Sequence, residues 1–346
     1  MTPHGSGIRG HLCLLGLLAL LGGALFGGEL FFGSVNIPLR GTLEYLLTGE
    51  GLSPEEAVIL RELRFPRGCA AWLGGASLGV AGLLMQTWFR NPLGGPFLLG
   101  TSSGASLGVA LVLLGLPLAG RVPALGSALL LGASFGGALA ALLVILLGSR
   151  SLRGNTGILL LGLMLGYLAN AGVTVLLAFG SLSGMRSYLS WSFGTFGGIS
   201  PSDLPLFALV CASALGISLG LGKSLNALLL GESYAASLGI SLGRVRFLVF
   251  LATALAAGGV TAFCGPVAFL GVAVPHLCRG LFRSWDHRLL LPACILGGGA
   301  LALGADLLTR LGPRGTLLPL NAVTALLGVP VVLWVLFRYR SGEGEL

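Results

Sequence analysis

The sequence predicts an all-α, polytopic membrane protein with about ten transmembrane helices. Of its 346 residues, 55% are hydrophobic and only 9% are charged, and the mean hydropathy is +0.95. A soluble domain carries about 25% charged residues, so a soluble fold of this length could not cover its surface with so few charges. No polar stretch is long enough for a second domain, and we expect a single transmembrane domain over residues 1–346.

The individual spans follow from the lengths of the apolar runs, because a helix needs about 20 apolar residues to cross a bilayer. An N-terminal run after a basic residue is also typical of a signal peptide, but no clear A-x-A site follows, so we expect an uncleaved first span. Only residues 264–266 separate the seventh and eighth runs. The runs lie near residues 12–32, 66–88, 97–116, 122–148, 156–179, 203–222, 246–264, 266–282, 289–308 and 319–337.

The basic residues predict the orientation. With a cytoplasmic N-terminus, the inner connections hold twelve Lys and Arg and the outer ones hold eight, which agrees with the positive-inside rule. An even number of spans places both termini in the cytoplasm. The longest outer stretch, residues 33–65, includes a helix start, with Ser53 as N-cap, Pro54 at the first position and two acids in the first turn.

Glycine pairs four residues apart predict close helix packing. They occur at Gly75 and Gly79, at Gly104 and Gly108, at 132 and 136, and at 162 and 166. Packing within the bundle is favoured over a dedicated dimer motif.

Several kinds of chemistry are not supported by the sequence. The middles of the spans hold almost no ionisable groups, which disfavours a proton-driven carrier. No metalloprotease or serine-hydrolase motif is present, the six cysteines contain no C-x-x-C pair, and no metal site is expected. We expect a structural role for His276. The sequence around Lys223 resembles the end of a P-loop but lacks the first glycine of that motif. Any ATP would therefore be hydrolysed by another chain, and this chain is predicted not to be an enzyme.

Three segments in order carry a family resemblance. The first comprises LRFPR at 63–67, GLLMQ at 82–86, RNPLGGP at 90–96 and LGTSSGA at 99–105. The second comprises LNALLLGE at 225–232 and SLG at 237–239. The third comprises GPVAFLG at 265–271, PH at 275–276, DHR at 286–288, GAD at 304–306, LP at 318–319 and GVP at 328–330. Together they closely resemble the FecCD-type permeases of type II ABC importers, over about residues 60–340.

The resemblance implies a function and a set of partners. A bacterial inner-membrane permease would form the translocation pathway for an iron chelate (a siderophore or haem) or for cobalamin. Its partners would be a second copy of itself, two cytoplasmic ABC ATPase subunits and a periplasmic substrate-binding protein. No cofactor would be bound by this chain, since ATP and Mg would bind the ATPase. The alternative is an ion-coupled secondary transporter.

The resemblance also assigns roles to residues. Arg64, Arg67 and Arg310 would dock the binding protein, or would be interfacial anchors that snorkel to the headgroups. Residues 224–240 would be a coupling helix on the ATPase, or an ordinary interfacial helix. Its expected contacts are Leu228, Leu229, Gly231, Glu232, Ala235, Leu238 and Gly239.

The cytoplasmic gate and pathway are expected at Gln86, Asn91, Pro92, Leu93, Ser102, Ser103, Ser149 and Ser151. A simple turn at residues 91–93 is an equal alternative. The resemblance also predicts a short re-entrant helix within residues 181–199, near the outer mouth of the pathway, with an aromatic interface belt as the rival interpretation.

Overall fold

The computed structural model describes residues 4–33, 35, 37–115, 122–152, 155–312 and 316–340. In these residues the chain forms fifteen α-helices, joined by short 3₁₀ and π segments, and no strand. The helices are α1 (His4–Phe31), α2 (Leu39–Thr48), α3 (Pro54–Val58), α4 (Phe65–Phe89), α5 (Thr101–Ala110), α6 (Val122–Ser151), α7 (Asn155–Phe179), α8 (Leu182–Ser192), α9 (Leu204–Gly220), α10 (Gly222–Leu229), α11 (Glu232–Ser237), α12 (Leu242–Cys264), α13 (Leu270–Phe282), α14 (His287–Thr309) and α15 (Leu320–Arg340).

These helices account for the ten predicted apolar runs. In the described residues, six helices are long and apolar enough to span a membrane: α1, α4, α6, α7, α12 and α14. The pair α9 and α10 passes the same test with a bend of 52° between them, and three shorter apolar segments begin at Thr101, Leu270 and Leu320. The all-α membrane fold is therefore confirmed. Of the arginines used for orientation, Arg121, Arg153 and Arg314 lie outside the described residues.

The eighth run begins later than expected. It was predicted from residue 266, but α13 starts at Leu270. Gly265 has φ +74° and Phe269 has φ +65°, and these two positive φ angles interrupt the helix on both sides of a short stretch without helical structure. The connection between α12 and α13 is consequently a defined loop.

Helix α4 lies at the centre of the bundle, and 83% of its most apolar stretch is buried. Its glycines allow neighbouring backbones to approach. A Cβ at Gly75 would lie 2.3 Å from the carbonyl oxygen of Gly298 in α14, and a Cβ at Gly298 would lie 2.4 Å from that of Gly75. Gly104 and Gly137 form a similar reciprocal contact between α5 and α6. These glycines therefore serve packing within the bundle, whereas a Cβ added at Gly132 or Gly136 would meet nothing within 4 Å.

We call the end of the bundle where α1 begins the inner end and the opposite end the outer end. The predicted helix start at the outer end is confirmed. The Ser53 hydroxyl accepts a hydrogen bond from the Glu56 N–H at 3.3 Å, and the Glu56 carboxylate accepts one from the Ser53 N–H at 2.9 Å. This capping box opens α3, which continues through a π-helical segment, Ile59–Arg64, into α4.

Candidate functional site

The outer end holds a buried ionic cluster. Arg67, in the first turn of α4, donates two hydrogen bonds to the Asp306 carboxylate of α14, at 2.6 and 3.1 Å, and one to the Thr309 hydroxyl at 3.2 Å. Arg310 pairs with Glu29 of α1 and lies 3.6 Å from Asp306. The cluster therefore ties α1, α4 and α14 together.

Arg64 lies beside the same cluster, and its side chain binds backbone carbonyl oxygens at the end of α1. Its guanidinium donates to the carbonyl oxygens of Leu30 and Phe31, at 2.6 and 2.9 Å, and to that of Val35. These carbonyls lie at and beyond the end of α1, where helical carbonyls lack intrahelical partners. Arg64 thus caps α1 from the side.

The three predicted docking arginines are brought together, but each is engaged within this chain. The side chains of Arg67 and Arg310 are both only 15% exposed, and Arg64 is buried. Three arginines and two carboxylates leave a formal charge of +1. The exposed parts line the outer end of an apolar cleft of about 1130 Å³ between α1, α13 and α14. Sequence reasoning missed Glu29, although an acid within an apolar run signals a buried partner.

A short helix, α8, lies within residues 181–199 at the outer end of the bundle, where one was predicted. Its N-cap, Ser181, accepts a hydrogen bond from the Gly184 N–H at 3.1 Å. Asn321, at the start of α15, donates to the Ser192 carbonyl at 3.2 Å and accepts from the Ala268 N–H at 2.9 Å. This one side chain fixes α8 and the α12–α13 loop to the outer end of α15.

The segment expected to couple to an ATPase is two helices rather than one. Gly231, with φ +120°, separates α10 from α11, and this backbone conformation is open only to glycine at low cost. A small cleft lined by Arg90, Asn155 and Glu232 lies beside this break. We call residues 222–240 the coupling segment.

The two faces of the coupling segment differ. Leu228 and Ala235 are buried in this chain's own core, so they do not fit the predicted role of contacts for another protein. Leu229, Glu232, Leu238 and Gly239 are exposed, as are Leu230, at 68%, and Tyr234, which sequence reasoning did not select. We call the exposed leucines and Tyr234 the apolar patch of this segment, because they give it exposed apolar surface at the inner end, the kind of surface that marks a protein interface.

The predicted gate residues 91–93 form a tight, hydrogen-bonded turn directly after α4. Arg90 ends the helix with φ +48°, and the Asn91 side chain accepts a hydrogen bond from the Leu93 N–H at 2.9 Å. The His276 Nε2 lies 2.6 Å from the carbonyl oxygen of Pro92 and donates to it. The structure thus gives His276 the structural role that was expected, as the tie between α13 and this turn.

Gln86 lies one turn before the end of α4 and also connects to α13. Its amide donates to the Val272 carbonyl at 3.3 Å, and its amide oxygen accepts from Arg279 at 2.5 Å. The Arg279 guanidinium stacks over the Trp285 ring, with its carbon 4.9 Å from the ring centroid. Gln86 is therefore held against α13 rather than free to face a pathway.

The predicted serines lie in two separate places. Ser102 and Ser103 are in the first turn of α5, well away from the inner end. The chain that precedes them runs back along α4 for about 10 Å, as far as Pro96, which packs on Gly271. The Ser102 hydroxyl is 3.1 Å from that of Thr261. Ser149, which bonds the Leu146 carbonyl at 2.9 Å, and the exposed Ser151 end α6 at the inner end. The structure therefore does not group all eight gate residues.

The start of α14 is joined to the coupling segment by Asn226. Its side chain donates to Asp286 at 2.6 Å and accepts from the His287 N–H at 2.8 Å. Asp286 is the N-cap of α14 and accepts from the Arg288 N–H at 2.9 Å. Partial burial raises the pKa of Asp286, but hydrogen bonds from Asn226 and Arg288 and the nearby positive charge outweigh this, so its pKa is lowered from 3.8.

Known proteins share this architecture over nearly the whole chain. Residues 17–338 match the FecCD transport family. The vitamin B12 import system permease protein BtuC of Klebsiella pneumoniae is 38% identical over 306 residues, which cover 86% of this chain and 88% of that protein. The protein of the same name from Escherichia coli O127:H6 is 35% identical over 343 residues, which cover 96% of this chain and 95% of that protein.

A solved structure gives the same result. It is described as an inward-facing conformation of a metal-chelate type ABC transporter and superposes with a TM-score of 0.81 at 26% identity, covering 94% of this chain and 99% of that one. Family, relatives and fold agree that this chain is a membrane permease of the ABC importer class, and it belongs to the FecCD transport family.

Proposed function

We propose that this chain forms the translocation pathway of an importer for a metal chelate, with cobalamin as the first candidate. The observation that carries the proposal is the 38% identity to a vitamin B12 import permease over 86% of the chain. Ferric siderophores and haem are the other candidate substrates. The pathway would lie between two copies of this chain in the bacterial inner membrane, with both termini in the cytoplasm.

The test of this function is uptake into proteoliposomes that contain this chain, its cognate ATPase and its binding protein. We expect ATP-dependent accumulation of cyanocobalamin and none with an ATPase inactivated in its nucleotide site. Accumulation of a ferric siderophore or haem instead would reassign the substrate within the same function. Uptake that persists with the inactive ATPase and follows an ion gradient would support an ion-coupled secondary transporter instead.

The energy for transport would come from ATP and Mg bound by the partner ATPase, which would meet this chain at the exposed apolar patch of the coupling segment. Leu230 and Tyr234 lie on that patch and Glu232 lies between them in sequence. We expect Glu232→Arg to weaken co-purification of the ATPase. Leu228→Ala is the contrasting variant, because Leu228 is buried and its truncation should lower stability without a specific loss of the partner. Equal capture of the ATPase by wild type and Glu232→Arg would remove residue 232 from the interface.

The periplasmic binding protein would dock at the outer end, through carboxylates that meet the net positive cluster of Arg64, Arg67 and Arg310. Because these arginines also hold the fold together, replacement by glutamate would confuse docking with unfolding. Arg310→Lys keeps the charge, whereas Arg310→Gln removes it, and both lose the arginine geometry. We expect capture of the binding protein by folded Arg310→Lys and reduced capture by folded Arg310→Gln. If the two folded variants capture it equally, Arg310 does not dock the binding protein.

A further inference from the structure

We propose that the last turn of α4, residues 87–90, is the receiver through which the coupling segment moves the gate turn at residues 91–93. His287 and Asn155 are the positioning residues that make the connection. This inference rests on the proposed function, in which the ATPase displaces the coupling segment. Three separate contacts converge on these four consecutive residues.

The first contact runs from Asn226 through His287 to Thr87. The Asn226 amide orientation is fixed, because its oxygen faces the His287 backbone N–H and its nitrogen faces the Asp286 carboxylate. The His287 Nδ1 lies 2.8 Å from that same oxygen and must carry a proton. The Nε2 of the ring lies 2.7 Å from the Thr87 hydroxyl. The buried imidazole thus bridges α10 and α4.

The second contact runs from Glu232 through Asn155. The Asn155 amide donates both to the Glu232 carboxylate, at 3.3 Å, and to the carbonyl oxygen of Trp88, at 3.0 Å. Asn155 is the first residue of α7. One side chain therefore connects α11, the start of α7 and the end of α4.

The third contact is direct, since Arg90 donates to the carbonyl oxygen of Leu228 in α10 at 3.2 Å. Arg90 is also the last residue before the gate turn, and Asn91 bonds back to the Gln86 carbonyl at 3.2 Å. A displacement of the coupling segment is therefore passed to residues 87–90 and reaches Asn91 through one peptide bond. Because α4 is packed on its other sides, the displacement is not absorbed by loose neighbours.

The experiment uses two nearly isosteric variants in the complete transporter. Thr87→Val removes the hydroxyl that meets His287. Asn155→Asp turns the amide that donates to Trp88 and Glu232 into a carboxylate that repels both. Ser218→Ala is the matched control, because it removes a buried hydroxyl bonded to the carbonyl four residues earlier, as in Thr87, but with no bridge to the coupling segment.

The first readout is cyanocobalamin uptake per ATP hydrolysed in proteoliposomes. Because each variant loses a hydrogen bond, we expect uptake per ATP to fall approximately fivefold for Thr87→Val and for Asn155→Asp. Assembly of the complex and the rate of ATP hydrolysis should be unchanged. The Ser218→Ala control should match wild type.

The second readout needs no transport substrate. Hydrogen exchange at residues 91–95 should change when the ATPase binds wild type and should change much less in Thr87→Val. A wild type that shows this exchange response but no uptake of any chelate contradicts the proposed function and leaves the receiver intact. Variants that respond and transport as wild type does, or that lose transport only in proportion to lost assembly, overturn the receiver.

Discussion

Removal of the Asp306 carboxylate should be among the most damaging single-atom changes in this protein. Asp306 accepts two hydrogen bonds from Arg67, at 2.6 and 3.1 Å, and its side chain is 1% exposed. Asp306→Asn keeps the shape but raises the formal charge of the cluster from +1 to +2, with Glu29 as its one remaining carboxylate. Breaking a buried pair by removing one partner costs about 3–5 kcal/mol, and we expect a loss of that size in the free energy of unfolding.

The assay is equilibrium unfolding in mixed micelles by titration with a denaturing detergent, followed by tryptophan fluorescence. Glu62→Gln is the matched control. Its partner Arg61 lies 3.9 Å away, and the two side chains are 79% and 46% exposed for Arg61 and Glu62, so the loss should be below about 1 kcal/mol. The double variant Asp306→Asn with Arg67→Gln should lose less than the sum of the single changes, because they share one interaction. If Asp306→Asn is as mild as Glu62→Gln, the cluster does not hold the outer end together.

Three further outcomes follow from the packing and the hydrogen bonds. Gly75→Val should prevent recovery of monodisperse protein in size-exclusion chromatography, because a Cβ there meets the Gly298 carbonyl at 2.3 Å, whereas Gly216→Val, with nothing within 4 Å, should elute as wild type does. Asp286→Ala should lower unfolding stability by about 1 kcal/mol at neutral pH through loss of the α14 N-cap. Since the folded-state pKa of Asp286 is lowered from 3.8, its contribution is present above pH 3.8 and is lost as the pH falls through the folded-state pKa, so the two unfolding curves should converge at low pH. Asn321→Leu should increase hydrogen exchange in α8, measured by mass spectrometry, because it removes the bonds to the Ser192 carbonyl and the Ala268 N–H; unchanged protection would mean that α8 is held by packing alone.

Apolar run length was a sufficient guide to the spans because the bilayer, rather than a specific partner, sets the length of a crossing helix. It failed where backbone conformation decides. Gly265 and Phe269 end one helix and delay the next through positive φ angles, and a hydropathy pattern carries no information on such angles. The 3₁₀ turn Pro96–Leu99, which lifts Ser102 above the inner end, was missed for the same reason.

An amphipathic pattern also does not show whether an apolar side chain is buried in its own chain or exposed on its surface. Leu228 and Leu229 are neighbours in an apolar stretch, yet Leu228 is buried in this chain and Leu229 is exposed toward the inner end. A side chain that packs against its own chain and one that contacts another protein occupy the same positions in an amphipathic pattern. The arginines predicted to dock the binding protein show the opposite limit. Arg67 and Arg310 were assigned that role by resemblance alone, while their partners within this chain, Asp306 and Glu29, lie far away in sequence.

Helix α4 connects the outer end of the bundle to the inner end. Arg67 at the start of α4 belongs to the outer ionic cluster, and Thr87 near its end meets His287, with about 30 Å of continuous helix between them. A continuous helix of this length is a physical link through which a partner bound at one end would change the binding free energy at the other. Linkage would make that influence reciprocal: if a partner bound at the outer end strengthens the binding of a second partner at the inner end, the second must strengthen the binding of the first by the same factor.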